Sequence, residues 1–116
     1  MPRFSLFTDA NVDGRLIRGL RQRGWEIERA VDNFPQDEDD DVLFEHAAKE
    51  NFVFVTNDED LLASTVSWLE ENRSFRMIYW EKKHHDQVSI GTFLDKFEKL
   101  AEEDDPFCYS IRFLNP

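Results

Sequence analysis

Five aspartates have the type and placement to do chemistry: Asp9, Asp39, Asp41, Asp58 and Asp60. Asp9 follows the apolar run Phe4 to Phe7, Asp39 and Asp41 stand where a helical stretch opens, and Asp58 and Asp60 follow the strand-like "VFVT". If these three places share one edge of a sheet, carboxylates about 4 Å apart repel by roughly 4 kcal/mol per pair at an effective dielectric near 20. Such a group keeps a proton or binds a cation. Hard oxygen donors with no His/Cys pattern select Mg²⁺ or Mn²⁺, and a bound ion of that kind activates water and shields a phosphodiester. Helix capping is the competing use: Asp39 and Asp58 each stand at an N-cap position, and Asp9, two residues before Asn11, could cap the first helix.

The elements that must position these acids follow from periodicity. Phe4 to Phe7 reads as a strand, and "NVDGRLIRGLRQRGW" has Val12, Leu16, Ile17 and Leu20 at helical spacing with Gly24 as its stop. Trp25 to Val31 alternates as a second strand, and "DNFPQDEDDD" is a loop. A helix opening among Asp39 to Asp41 carries Val42, Leu43, Ala47 and Ala48, its acids suiting the helix dipole. Phe52 to Thr56 is the third strand, and a helix from Glu59 with Leu61, Leu62, Val66 and Leu69 runs to Asn72. "FRMIYW" is the fourth strand, Ile90, Phe93, Leu94, Phe97, Leu100 and Ala101 form one helical face, and "FCYSIRF" is the last strand. The alternation predicts an α/β fold with βαβ crossovers and a mainly parallel sheet of four or five strands, covered on both faces. Ligands of such sheets bind beyond the carboxyl ends of the strands, where the acids fall.

With 116 residues, 41% hydrophobic and 14% aromatic, the chain is expected to form a single globular domain over 1–116. A net charge of -11, from 25 acids and 14 bases, argues against the broad basic surface most nucleic-acid binders carry. A lone cysteine, Cys108, excludes an internal disulfide and suits a reducing compartment. "MPRFSLFTDA" lacks an apolar signal core, and no stretch reaches transmembrane length, so a cytoplasmic protein with no membrane partner is expected.

Two stretches resemble a known family. "LFTDANVDGRLIRGLRQRGWEIERAVD" is similar to the opening of the short prokaryotic PIN-like domains, and "DDDVLFEHAAKENFVFVTNDEDLL" to their second acidic stretch. These domains belong to the PIN superfamily and are related to VapC-type toxin nucleases. The resemblance implies a three-layer α/β/α PIN-like sandwich and a metal-dependent endoribonuclease acting on single-stranded RNA. It implies a toxin with an antitoxin partner. Asp9, Asp39, Asp41, Asp58 and Asp60 would be the Mg²⁺ (or Mn²⁺) ligands, with Asp9, Asp39, Asp58 and Asp60 catalytic and Asn11 and Thr56 supporting. Ala10 stands where the family has Glu, Asn57 where it has Arg, and Leu61 where it has Phe. Those departures leave a PIN-like binding module with weakened catalysis as the alternative. A receiver-type signalling domain is a third reading, but it wants paired acids after the first strand and a Lys after the last, and only Asp9 is present.

Among the remaining polar groups, Arg15 and Arg18 on the first helix could touch an RNA backbone near Asp9, or form a solvated face. His84 and His85 read as an exposed turn, His46 as a core-boundary residue, and Trp25, Trp68 and Trp80 as core or interface. Cys108, in the last strand, is expected to be buried. The aromatic face of the last helix and the final strand are candidates for pairing in a homodimer.

Overall fold

Strand residues alternate between two apolar faces, and each face demands its own layer of helices. The computed structural model describes residues 4–83 and 89–114. The elements run β1 (Leu6–Thr8), α1 (Gly14–Gln22), β2 (Ile27–Arg29), α2 (Ala30–Asn33), α3 (Asp40–Lys49), β3 (Val53–Thr56), α4 (Glu59–Glu70), β4 (Met77–Tyr79), α5 (Ile90–Glu102) and β5 (Ile111–Phe113). The five strands form one sheet in the order β2-β1-β3-β4-β5, and every pairing is parallel.

On one face Leu6, Val53, Val55, Ile78 and Trp80 pack against Leu16, Ile17 and Leu20 of α1 and Phe93, Phe97 and Leu100 of α5. On the other, Phe7, Phe54, Met77 and Tyr79 meet Leu43, Phe44 and Ala47 of α3 and Leu61 and Trp68 of α4. The result is a three-layer α/β/α sandwich whose layers follow from the period-two alternation of the strands. Gly19 lets α1 approach α5 closely, since a Cβ there would fall 2.9 Å from a Leu94 methyl and the leucine would have to shift. No described helix is long and apolar enough to cross a membrane.

Several expectations are corrected. The second strand stops at Arg29 rather than Val31, because the Phe34 N–H bonds the Ala30 carbonyl at 2.9 Å and closes the single turn of α2. Along α4 the buried stripe is Leu61, Thr65 and Trp68, while Val66 and Leu69 face solvent. Thr65 tolerates burial because its hydroxyl donates to the Leu62 carbonyl at 2.6 Å. The cap of α1 is Asp13, whose carboxylate accepts from the Arg15 N–H at 2.8 Å, so Asp9 is not spent on capping. The last strand is limited to three residues, and Cys108 precedes it in an exposed turn. All three tryptophans are core. The aromatic face of α5 is buried within the chain and offers nothing to a second copy, whereas β5 is an edge strand with Phe113 half exposed.

Candidate active site

β1 and β3 are central neighbours in the sheet, so the residues leaving their carboxyl ends emerge side by side. The Asp9 N–H donates to the Val55 carbonyl at 3.3 Å, which extends the β1–β3 pairing by one residue and pins Asp9 to the sheet. The residue is only 6% exposed. Oδ2 accepts from the Asn11 amide at 3.4 Å, and Oδ1 is buried with no hydrogen-bond partner among the described residues.

Asp58 is held from three sides. Fully buried Thr56, the last residue of β3, accepts the Asp58 N–H on its hydroxyl at 3.0 Å. Asp58 then caps α4, Oδ1 accepting from the Asp60 N–H at 2.9 Å. Its Oδ2 accepts from the same Asn11 amide at 2.9 Å, so one side chain ties the two carboxylates together. Burial pushes the Asp9 carboxyl up from the ordinary range to about 6; the Thr56 hydroxyl opposes that rise, the Asp58 charge adds to it, and Asn11 opposes it. Replacing Asn11 by Ala should therefore raise the Asp9 pKa further, a change that carboxyl-carbon NMR titration reads directly. An unchanged or lower pKa would show that Asn11 does not stabilise the ionised form.

A cavity of about 130 Å³ opens over these groups. Asp9, Asn11, Asp58, Asp40 and Glu38 supply its polar lining, and Ala30, Val31, Phe34, Pro35, Leu43 and Leu61 its apolar wall. The acid that α3 brings to this cavity is Asp40, whose Oδ2 accepts from the Ser64 hydroxyl at 2.5 Å. Asp39 stands at the N-cap position of α3 without a side-chain cap bond and lines an outer groove with Asp40 and Asp41. Asp41 accepts the Trp68 indole N–H at 3.0 Å, tying α3 to α4. Asp60 lies on the opposite side of Asp58, in a cleft with Asn11, Asn57, Glu59 and Lys82. The geometry thus brings Asp9, Asp58 and Asp40 to one cavity and leaves Asp39, Asp41 and Asp60 around it.

Asp40 and Glu38 escaped the sequence reading because five consecutive acids, Asp37 to Asp41, look alike. The usable signal was phase: Asp40, Leu43 and Ala47 are spaced three and four apart, so the residue in step with the buried stripe points inward. Arg15 pairs with Asp13 at 2.8 Å and Arg18 is exposed; neither lines the three clefts just described. His46 meets Glu28 at 2.6 Å beside Phe7 and Phe34, as a core-boundary residue should. His84 and His85 lie outside the described residues.

Among the described residues no three His, Cys, Asp or Glu side chains are grouped tightly enough to enclose a metal ion. Mg²⁺ does not need such a cage, since it keeps several waters and binds through one or two carboxylates. Asp9 with its unpartnered buried oxygen, and Asp58 beside it, fit that requirement.

Residues 4–71, more than half of the chain, match the family model described as a PIN like domain. No curated protein and no solved structure matches the sequence. The matched segment runs from the start of β1 to the end of α4 and includes Asp9, Asn11, Asp40, Asp58 and Asp60. With an all-parallel sheet between two helical layers, and acids at the carboxyl ends of its two central strands, the chain belongs to the family of PIN-like domains.

Proposed function

We propose that this PIN-like domain is a divalent-cation-dependent ribonuclease that cuts single-stranded RNA. One observation carries the reading: Asp9 borders the same cavity as Asp58, and its buried Oδ1 makes no well-formed hydrogen bond among the described residues, the Thr56 hydroxyl being its near polar neighbour. Burying a carboxylate without compensation is costly, and a cation satisfies both the charge and the empty acceptor. Asp9 and Asp58 would hold the ion, with Asp40 at the cavity's far side. When bound, Mg²⁺ or Mn²⁺ supplies charge neutralisation for the phosphodiester and a lowered pKa for water.

The rest is done by the chain. Asn11 fixes the two carboxylates relative to each other, and the Thr56 hydroxyl fixes the turn from which Asp58 projects. Asp40, anchored by Ser64, and Asp60, in the next cleft, are the groups placed to accept a proton from an attacking water or orient it. The apolar wall of Val31, Phe34 and Pro35 excludes water from one side of the cavity. In a toxin and antitoxin pair, the same activity would be the toxin's, silenced by a protein partner.

A second reading has its own observation: Asp58 does cap α4, so its presence alone does not require a metal. Incubating a labelled single-stranded RNA with the protein separates the two. Cleavage should need Mg²⁺ or Mn²⁺, stop with chelator, and fall at least a hundredfold in Asp58→Asn. Cleavage indifferent to chelator, or absent with every divalent ion, would leave a binding module on a PIN-like scaffold.

A further inference from the structure

The acidic edge has a charge problem that the carboxylates cannot solve. RNA is a polyanion, the chain carries a net charge of -11, and the cavity over Asp9 and Asp58 has no basic residue in its lining. The outer groove formed by Asp39, Asp40 and Asp41 has none either. Five of the described cations are paired with acids: Arg15 with Asp13, Arg23 with Asp95, Arg73 with Glu45, Lys83 with Glu81 and Arg112 with Glu103.

Lys82 differs. It follows β4 by three residues, and β4 is the parallel neighbour of β3, so the segment carrying Lys82 leaves the same sheet edge as the turn carrying Asp58. Lys82 lines one cleft with Asn11, Asn57, Asp58, Glu59 and Asp60. It is exposed, and among the described residues no hydrogen bond or ion pair engages its ammonium. Asn11, which joins Asp9 to Asp58, lines both this cleft and the Asp9 cavity, as does Asp58, so the two are neighbours.

We propose that Lys82 is a substrate-positioning residue, binding a backbone phosphate of a single-stranded RNA whose chain crosses the Asp9–Asp58 pair from the Lys82 cleft toward the apolar wall of Val31 and Phe34. A Lys ammonium binds phosphate as a compact point charge. Its place on the β4 side sets the path of the strand, which past the carboxylates meets Val31, Phe34 and Pro35 as the uncharged part of a lining that also holds Glu38 and Asp40. The proposal deepens the ribonuclease reading and rests on it.

The test compares wild type, Lys82→Ala and Lys82→Arg in two assays with Mg²⁺. One is cleavage of a single-stranded RNA; the other is anisotropy-detected binding of the same RNA, each protein carrying Asp58→Asn to suppress cleavage. Lys82→Ala should raise KM and Kd about tenfold, leave kcat within about twofold, and lower the slope of log affinity against log salt by about 0.7. Lys82→Arg should restore all three. Unchanged KM and salt slope in Lys82→Ala, with wild type cutting normally, overturns the proposal and leaves the ribonuclease reading standing. Lys82-dependent binding without cleavage supports phosphate capture and removes the ribonuclease reading. Failure of wild type either to bind or to cut overturns both.

Discussion

Asp9→Asn should lose at least two to three powers of ten in divalent-dependent RNA cleavage and, without metal above pH 7, be more stable than wild type. The first half follows from removing a charged oxygen donor, whose loss of several kcal/mol in the transition state is tenfold in rate for each 1.4 kcal/mol. The second half follows from the burial of Asp9, whose pKa of about 6 lies well above the ordinary carboxylate range. A group whose folded pKa is raised binds its proton more tightly in the folded state, so stability falls as pH rises. The contribution is intact below the unfolded pKa near 4 and is lost by the time pH passes about 6. About two units correspond to roughly 3 kcal/mol of apo-protein stability. In Asp9→Asn that component of the pH dependence should vanish, and urea unfolding at pH 4 and pH 8 with chelator measures it. A variant equally inactive but less stable at pH 8 would mean that the Asp9 carboxylate serves the fold rather than a cation.

Phe97→Ala should destabilise the domain by about 3–5 kcal/mol, a large share of the 5–15 kcal/mol typical of a domain. Phe97 is fully buried between α5 and the sheet, edge-on to Trp25 at 5.9 Å and to Trp80 at 6.3 Å. None of these large rings can collapse into the space without disturbing another, so a cavity remains. Tyr109→Ala is the internal comparison, since Tyr109 is 82% exposed and should shift stability by no more than about 0.5 kcal/mol. Urea midpoints at constant slope give both values. A loss below about 1 kcal/mol for Phe97→Ala would mean that the packing between α1, α5 and the sheet is looser than these contacts require.

Phe97 was legible in the sequence because α5 repeats its apolar residues over almost four turns, and long periodic stripes survive small errors of phase. The strands were legible in order and not in length. Continuous apolar runs such as Phe4 to Phe7 show a buried strand, but they do not show where pairing stops, and β2 yielded Ala30 to a helical turn that only Phe34 could close. On α4, Val66 and Leu69 outranked Thr65 on hydrophobicity alone, while Trp68 reads as core or interface and is buried; a threonine that bonds its own backbone, and an indole that bonds Asp41, can be buried without penalty.

At the site, Asp9 and Asp58 were legible because each lies within two residues of a strand's carboxyl end, and such ends in a parallel sheet share one edge. Asn11 was legible only through the family resemblance, and its amide bonds both carboxylates. The third acid does not stand out, since five consecutive acids look alike and only step with Leu43 and Ala47 on α3 distinguishes Asp40. Lys82 belongs to a different element from the acids, and only the adjacency of β3 and β4 places it beside Asp58.

Calorimetric titration of Mn²⁺ into wild type and Asp9→Asn at pH 7.5 bears most directly on the central claim, that the acids at the ends of β1 and β3 hold a catalytic cation. Saturable binding of about one ion by wild type, lost in Asp9→Asn while the variant stays folded, is the predicted result. No binding by wild type, or equal binding by both proteins, would contradict it.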